Sequence, residues 1–123
     1  MKIFLDANVL VAVLNREYPL FTYAARIVSL VDHPRFEVFT SPICLAIAFY
    51  FAEKKSGTEL AKNKISILSK KLKITRIDSK TVDLVSENPA IYDFEAGLEY
   101  YSAINSGCEI IITEDVSHFY FSQ

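Results

Sequence analysis

The sequence predicts an α/β domain, a three-layer α/β/α sandwich around a central parallel sheet. Three observations carry this: short β-type runs alternate with helical patterns along the chain, the helical segments are long enough to cross over between parallel strands, and acids follow two of the strands directly. At 123 residues there is material for one hydrophobic core, so residues 1–123 are read as a single domain.

Lys2–Leu5 is the first strand, and Asp6, Ala7 and Asn8 turn the chain into a helix whose Val9, Leu10, Val11, Val13 and Leu14 keep helical spacing. Pro19 suits the first turn of a second helix, with Phe21, Ala24, Ala25, Ile27, Val28 and Val31 as its apolar face and Pro34 beyond its end. Glu37–Thr40 is the second strand. Ser41 and Pro42 start a third helix with a hydroxyl cap and proline at the first position. That helix reads apolar on every side, which predicts burial nearly all round. Gly57 ends it, and Thr58 is expected to cap a helix over residues 59–71.

Residues 73–77 form the third predicted strand, and Asp78 or Ser79 opens a helix closed near Asn88 and Pro89. A further helix spans residues 91–105, with Phe94, Gly97, Leu98, Tyr101 and Ile104 predicted inward and Gly107 as its stop. Glu109–Ile112, apolar except for its first residue, suits a central parallel strand covered on both faces. Thr113, Glu114 and Asp115 end it, and a tail with His118, Phe119, Tyr120 and Phe121 is expected to form a short helical turn.

Composition narrows the function. Thirteen basic against fifteen acidic residues leave a formal charge of −2, so a polyanion would have to be met by a local patch. The densest basic run is Lys62, Lys64, Lys70, Lys71 and Lys73, with Lys54 and Lys55 upstream, and it reads first as a solvated helix face. Cys44 and Cys108 lack metal-like or disulfide-like spacing and read as small core residues; His33 and His118 read as non-ligands. The longest apolar run, 43–52, is too short to cross a membrane, and no secretion signal is recognisable, so a cytoplasmic location is expected.

In an open parallel sheet, ligands bind outside the carboxyl ends of the strands, where strand order reverses. Asp6 and Asp115 each follow a strand, and Asp93 and Glu95 begin the helix that leads to the last one. Carboxylates gathered in one cleft repel, and a divalent cation relieves that repulsion. Magnesium or manganese is the expected ion, and phosphodiester hydrolysis by a bound water is the chemistry it supports. On this reading Asp6, Asp93 and Asp115 are the candidate catalytic and metal-holding residues. Asn8 and Thr113 are candidate supporting or substrate-binding groups, Asn8 beside Asp6 and Thr113 beside Asp115. Each acid also has a purely structural use, Asp6 and Asp93 as helix caps and Asp115 as a turn, while Glu95 and Glu99 are expected to face solvent.

The opening IFLDANVLVAVL resembles the first strand and acidic turn of PIN domains, small metal-dependent ribonucleases that include the toxins of many bacterial toxin–antitoxin pairs. DFEAGLEYYSAINSGCEIIITEDVSHF resembles the C-terminal half of the same family. The resemblance implies the three-layer sandwich, a homodimer, Mg²⁺ or Mn²⁺ on three or four acids, and RNA and an antitoxin-like protein as partners. Asp6 matches the family's first acid and Asp115 its last. Departures are visible too. Ala96 stands where the helix motif ends in a metal-proximal acid, residues 43–52 carry no carboxylate, and His118 replaces a common Asp. These losses imply weakened or lost activity, and they support an alternative: a non-catalytic PIN-fold module that binds RNA or a partner protein. A receiver-type phosphoacceptor domain is disfavoured, because the final turn offers Thr113, Glu114 and Asp115 rather than a lysine.

Overall fold

The computed structural model describes residues 1–114. In chain order the elements are β1 (Lys2–Leu5), α1 (Ala7–Leu14), α2 (Leu20–Val28), a 3-10 turn (Ser29–Asp32), β2 (Glu37–Thr40), α3 (Pro42–Ser56), α4 (Thr58–Lys71), β3 (Lys73–Ile74), α5 (Ser79–Glu87), α6 (Phe94–Asn105) and β4 (Ile110–Ile112). The strands form one parallel sheet in the order β3-β2-β1-β4. Successive strands step outward from β1 to β3, and the chain then returns to pair β4 on the other side of β1. The switch point therefore lies at the carboxyl ends of β1 and β4, where Asp6 sits.

Helix α1 packs against α2 and α3, and α3 against α4, while α5 and α6 form a second pair; the sheet between them completes three layers. The core is built on Phe4, Leu5 and Leu10, all fully buried, each contributing roughly 1.5–3 kcal/mol. Thr40 closes the polar end of this core by donating its hydroxyl to the Leu5 carbonyl at 3.0 Å.

Several local details differ from the sequence expectations, for readable reasons. The third strand is two residues long rather than five, because after Ile74 the chain keeps only the bond from the Thr75 N–H to the Thr40 carbonyl. Helix α4 includes Thr58, whose hydroxyl donates to Glu53 at 2.7 Å instead of capping. Helix α3 is not buried all round: Cys44, Ala48 and Ala52 face inward, while Tyr50 and Phe51 are exposed. Small residues let it lie close on α1, and its aromatic groups are left on the outer side. In α6 Gly97 and Leu98 point inward as expected, but Phe94 and Ile104 are exposed. Among the described residues β4 pairs only with β1 and is partly exposed, an edge rather than a centre. The tail bearing His118 lies outside the described residues.

The basic residues serve the far end of α1. Lys55 donates to the Asn15 carbonyl and Lys64 to the Leu14 carbonyl, the latter at 3.2 Å. Both satisfy carbonyls that a helix leaves unpaired at its C-terminus, where positive charge is favoured. With Arg16 and Lys71 they line a cavity of about 540 Å³ floored by Val13, Val28 and Leu68.

The contact between α5 and α6 depends on Gly97. A Cβ there would lie 2.8 Å from Val85 Cγ1 and 2.9 Å from Ile91 Cγ2, closer than packed carbons allow. Gly97→Ala should therefore destabilise the fold by about 1–3 kcal/mol, read as a lower urea midpoint at unchanged slope.

Candidate metal site at the switch point

Asp6 is held from three directions. Its backbone N–H donates to the Ile112 carbonyl at 3.0 Å, which ties the end of β1 to β4. One carboxylate oxygen, Oδ1, accepts from the Ala7 N–H at 2.6 Å and so caps α1. The other, Oδ2, accepts from the Thr113 hydroxyl at 2.7 Å. The cap and the site are therefore one arrangement: the turn that starts α1 also aims the carboxylate. At 5% exposure Asp6 has little water to stabilise its charge.

The second carboxylate is Glu99, on the second turn of α6 and 3% exposed. Its side chain meets Asp6, with which it shares a hydrogen bond. Two carboxylates can be so joined only when one carries a proton. Burial pushes the Glu99 carboxyl up to about 9, and the Asp6 charge and the shared hydrogen bond push the same way; Glu95 adds a smaller push, against a lowering by a hydrogen bond with Cys44. Among the described residues no basic side chain forms an ion pair with either acid.

Cys44 completes the cluster. It lies in the first turn of α3, where its N–H donates to Ser41 Oγ at 3.0 Å, and it is fully buried. Burial, then the Glu99 charge, holds its thiol far above the ordinary range. The ligand atoms of Asp6, Cys44 and Glu99 all lie within 4.8 Å of one another.

The sequence-predicted residues fall unevenly around this cluster. Asp6 is in it, and Thr113 supports Asp6. Asp93 is half-buried and caps α6, its Oδ1 accepting from the Ala96 N–H at 3.1 Å, outside the three-residue group. Asn8 is half-buried in the first turn of α1. Asp115 lies outside the described residues. Two members were not anticipated. Glu99 was expected to face solvent and is buried; Cys44 is the small core residue expected, and its thiol also lies beside Asp6 and Glu99. For Glu99 the signal was present: it lies three residues after Ala96, so it shares the face on which the helix motif places its acid.

Two buried carboxylates that have no basic partner among the described residues are a donor set that fits a divalent cation, which would offset the repulsion that keeps Glu99 protonated. Hard oxygen donors of this kind suit Mg²⁺ or Mn²⁺. With such an ion bound, a coordinated water becomes a stronger acid and negative charge on a phosphoryl oxygen is stabilised.

Comparisons with known proteins bear on the family and the fold. A family model described as PIN domain matches residues 2–117. Ribonuclease VapC1 of Aquifex aeolicus (strain VF5) is 23% identical over 125 residues, covering 96% of this chain and 84% of that protein. Among solved structures, Mycobacterium tuberculosis VapC20, described as a sarcin-ricin loop cleaving toxin, superposes with a TM-score of 0.73 at 18% identity, over 95% of this chain and 92% of that one. VapBC2 from Rickettsia felis, bound to a DNA fragment from its promoter, superposes with a TM-score of 0.69 at 19% identity, over 97% and 91%.

The shared proton makes stability depend on pH. Between about 4.5 and about 9 the folded chain keeps a proton on Glu99 that the unfolded chain gives up. Stability of the metal-free protein should then fall as pH rises through that window, by on the order of 1–3 kcal/mol for this group. Urea unfolding with a chelator present, at pH 5 and pH 8.5, should show this decline, and Glu99→Gln should flatten it and be the more stable form at the higher pH.

Proposed function

We propose that this chain, which belongs to the PIN domain family, is a metal-dependent ribonuclease of the toxin–antitoxin type whose cation is held by Asp6 and Glu99. The observation that carries this is the pair of buried carboxylates brought together at the switch point, which among the described residues have no basic partner. The names of the similar proteins support the class of substrate and system: a ribonuclease, a toxin that cleaves the sarcin-ricin loop, and a toxin–antitoxin complex on promoter DNA. RNA is thus the proposed substrate, an antitoxin-like protein and a second copy of the chain the proposed partners, and the cytoplasm the proposed compartment.

The residues divide the work. Asp6 and Glu99 would hold the cation through their carboxylates, and Mg²⁺ or Mn²⁺ is the proposed ion. Thr113 holds Asp6 Oδ2, and the Ala7 N–H holds Oδ1, so the carboxylate keeps one orientation. Asp93, by capping α6, sets where that helix begins and so where Glu99 lands. Asp115, two residues beyond Thr113, is proposed as a further acid of the same rim, and Asn8 as a substrate contact. Hydrolysis then needs no side-chain nucleophile.

Activity is proposed to be slower than in a site with a full set of acids. Ala96 is buried where the motif that this helix resembles carries a metal-proximal acid, and residues 43–52 of α3 carry no carboxylate. The same two residue positions favour the second reading, a binding module that keeps the fold and not the turnover. Cleavage of a structured RNA in Mn²⁺ separates them. Under the enzyme reading, Asp6→Asn and Glu99→Gln each lower the rate at least roughly 100-fold, since charge stabilisation by the ion is worth several kcal/mol. Asp93→Asn, which still caps, should keep the rate within about threefold. A rate in the unaltered chain that neither Mn²⁺ nor Asp6→Asn changes would exclude the enzyme.

A further inference from the structure

We propose that Cys44 is a third ligand of the cation held by Asp6 and Glu99, so that this site takes Co²⁺, Zn²⁺ or Cd²⁺ as well as the harder ions, the thiol adding affinity only for the softer ones. The proposal rests on the reading that those two carboxylates hold a metal, and goes beyond it by naming the donor that widens the choice of ion. Sequence spacing gave no hint of it, because Asp6, Cys44 and Glu99 come from three separate elements.

The first support is reach. Bonds of about 2.0–2.3 Å from one ion to oxygen or sulfur place any two of its ligand atoms at most about 4.6 Å apart. The three donors already lie within 4.8 Å of one another, so a single ion can touch all three after shifts of a few tenths of an ångström. The second is surroundings. A cysteine that only fills a core is enclosed by apolar groups. Cys44 instead faces Glu99 and Asp6, with Ser41 and Thr40 beside it, and is fully buried. Neither cysteine is in a disulfide, so the thiol is available to bind.

The third support is how firmly the thiol is placed. Parallel pairing sets Phe4 beside Phe39, and the Thr40 hydroxyl fastens the end of β2 to Leu5, one residue before Asp6. Ser41 then caps α3 through the Cys44 N–H, which fixes the turn carrying the thiol. Asp6 and Cys44 therefore rise from adjacent strand ends, and Glu99 closes the third side from α6.

Ligand chemistry follows. A hard ion such as Mg²⁺ prefers oxygen and would leave the sulfur unused, whereas a thiolate selects softer ions and, along the first transition series, raises affinity toward cobalt and zinc. Coordination releases the thiol proton, as it releases the one shared by Asp6 and Glu99. Three protein donors also leave a fourth position for water or a phosphate oxygen, as in open zinc sites.

Titration of the full-length protein with Co²⁺, followed by absorption, tests this. A sulfur-to-cobalt charge-transfer band in the near ultraviolet should grow to one equivalent in the unaltered chain and in Cys108→Ser, and be absent in Cys44→Ser. Cys44→Ser should bind Co²⁺ at least about tenfold more weakly, while its affinity for Mg²⁺ changes little. Because the band is read in the unaltered chain, the test does not depend on the variant folding. Co²⁺ bound without that band, or a band that Cys108→Ser removes, would overturn the thiolate. A parallel Mn²⁺ titration separates the two ideas. Mn²⁺ binding that Asp6→Asn abolishes would leave the carboxylate reading standing after the thiolate had failed, and absence of both metals from the unaltered chain would end both.

Discussion

Two acids buried against each other must share a proton or a cation, and that constraint organises this molecule. At a separation of about 4 Å and an effective dielectric near 20, two like charges repel by about 4 kcal/mol, a large fraction of a small domain's stability. Buried beside Asp6, the Glu99 carboxyl avoids it by keeping its proton well above the ordinary range. The fold keeps them together regardless, because neither position is free to move. Asp6 is fixed by β4 through its backbone, by Ala7 and by Thr113. Glu99 is fixed by a helix whose start is set by the Asp93 cap and whose depth is set by the absence of a side chain at Gly97. The strain is thus stored in protonation rather than in geometry, and a divalent cation is the partner that relieves it.

Much of this was legible in the sequence. The strand and acidic turn at Lys2–Asp6, the Ser41-Pro42 helix start and the helical spacing of α1 and α2 are local signals, decided within a few residues. The parallel three-layer arrangement followed from alternation, and Asp6 followed from lying where an apolar strand gives way to an apolar helix. The Lys54–Lys73 run read as a helix face, and the structure makes Lys55 and Lys64 the caps of α1.

What was not legible depends on which face of a helix packs inward. In α3 every face looks apolar, so the hydrophobic pattern cannot say that Ala48 and Ala52 turn in while Tyr50 and Phe51 turn out. Size decides there, since small side chains permit the close approach to α1. In α6 the expected inward face held Gly97 and Leu98, which are buried, and Phe94 and Ile104, which are exposed; Ala96, Glu99, Ser102 and Ala103 are buried in addition. That rotation is what carries Glu99 from the expected solvent side into the site. One turn after Ala96, where no acid stands, the same buried face bears the Glu99 carboxylate. Cys44 was hidden for a different reason, since a thiol among apolar neighbours in sequence looks like packing until its neighbours in space are known.

The most direct measurement is a carbon-13 NMR titration of the glutamate side-chain carboxyl carbons in metal-free protein, repeated with Zn²⁺, which is diamagnetic. One carboxyl, assigned to Glu99 by its loss in Glu99→Gln, should titrate near 9, apart from the other glutamates. With Zn²⁺ bound it should be ionised at neutral pH. A Glu99 signal that titrates with the exposed glutamates, and that Zn²⁺ leaves unchanged, would contradict the account.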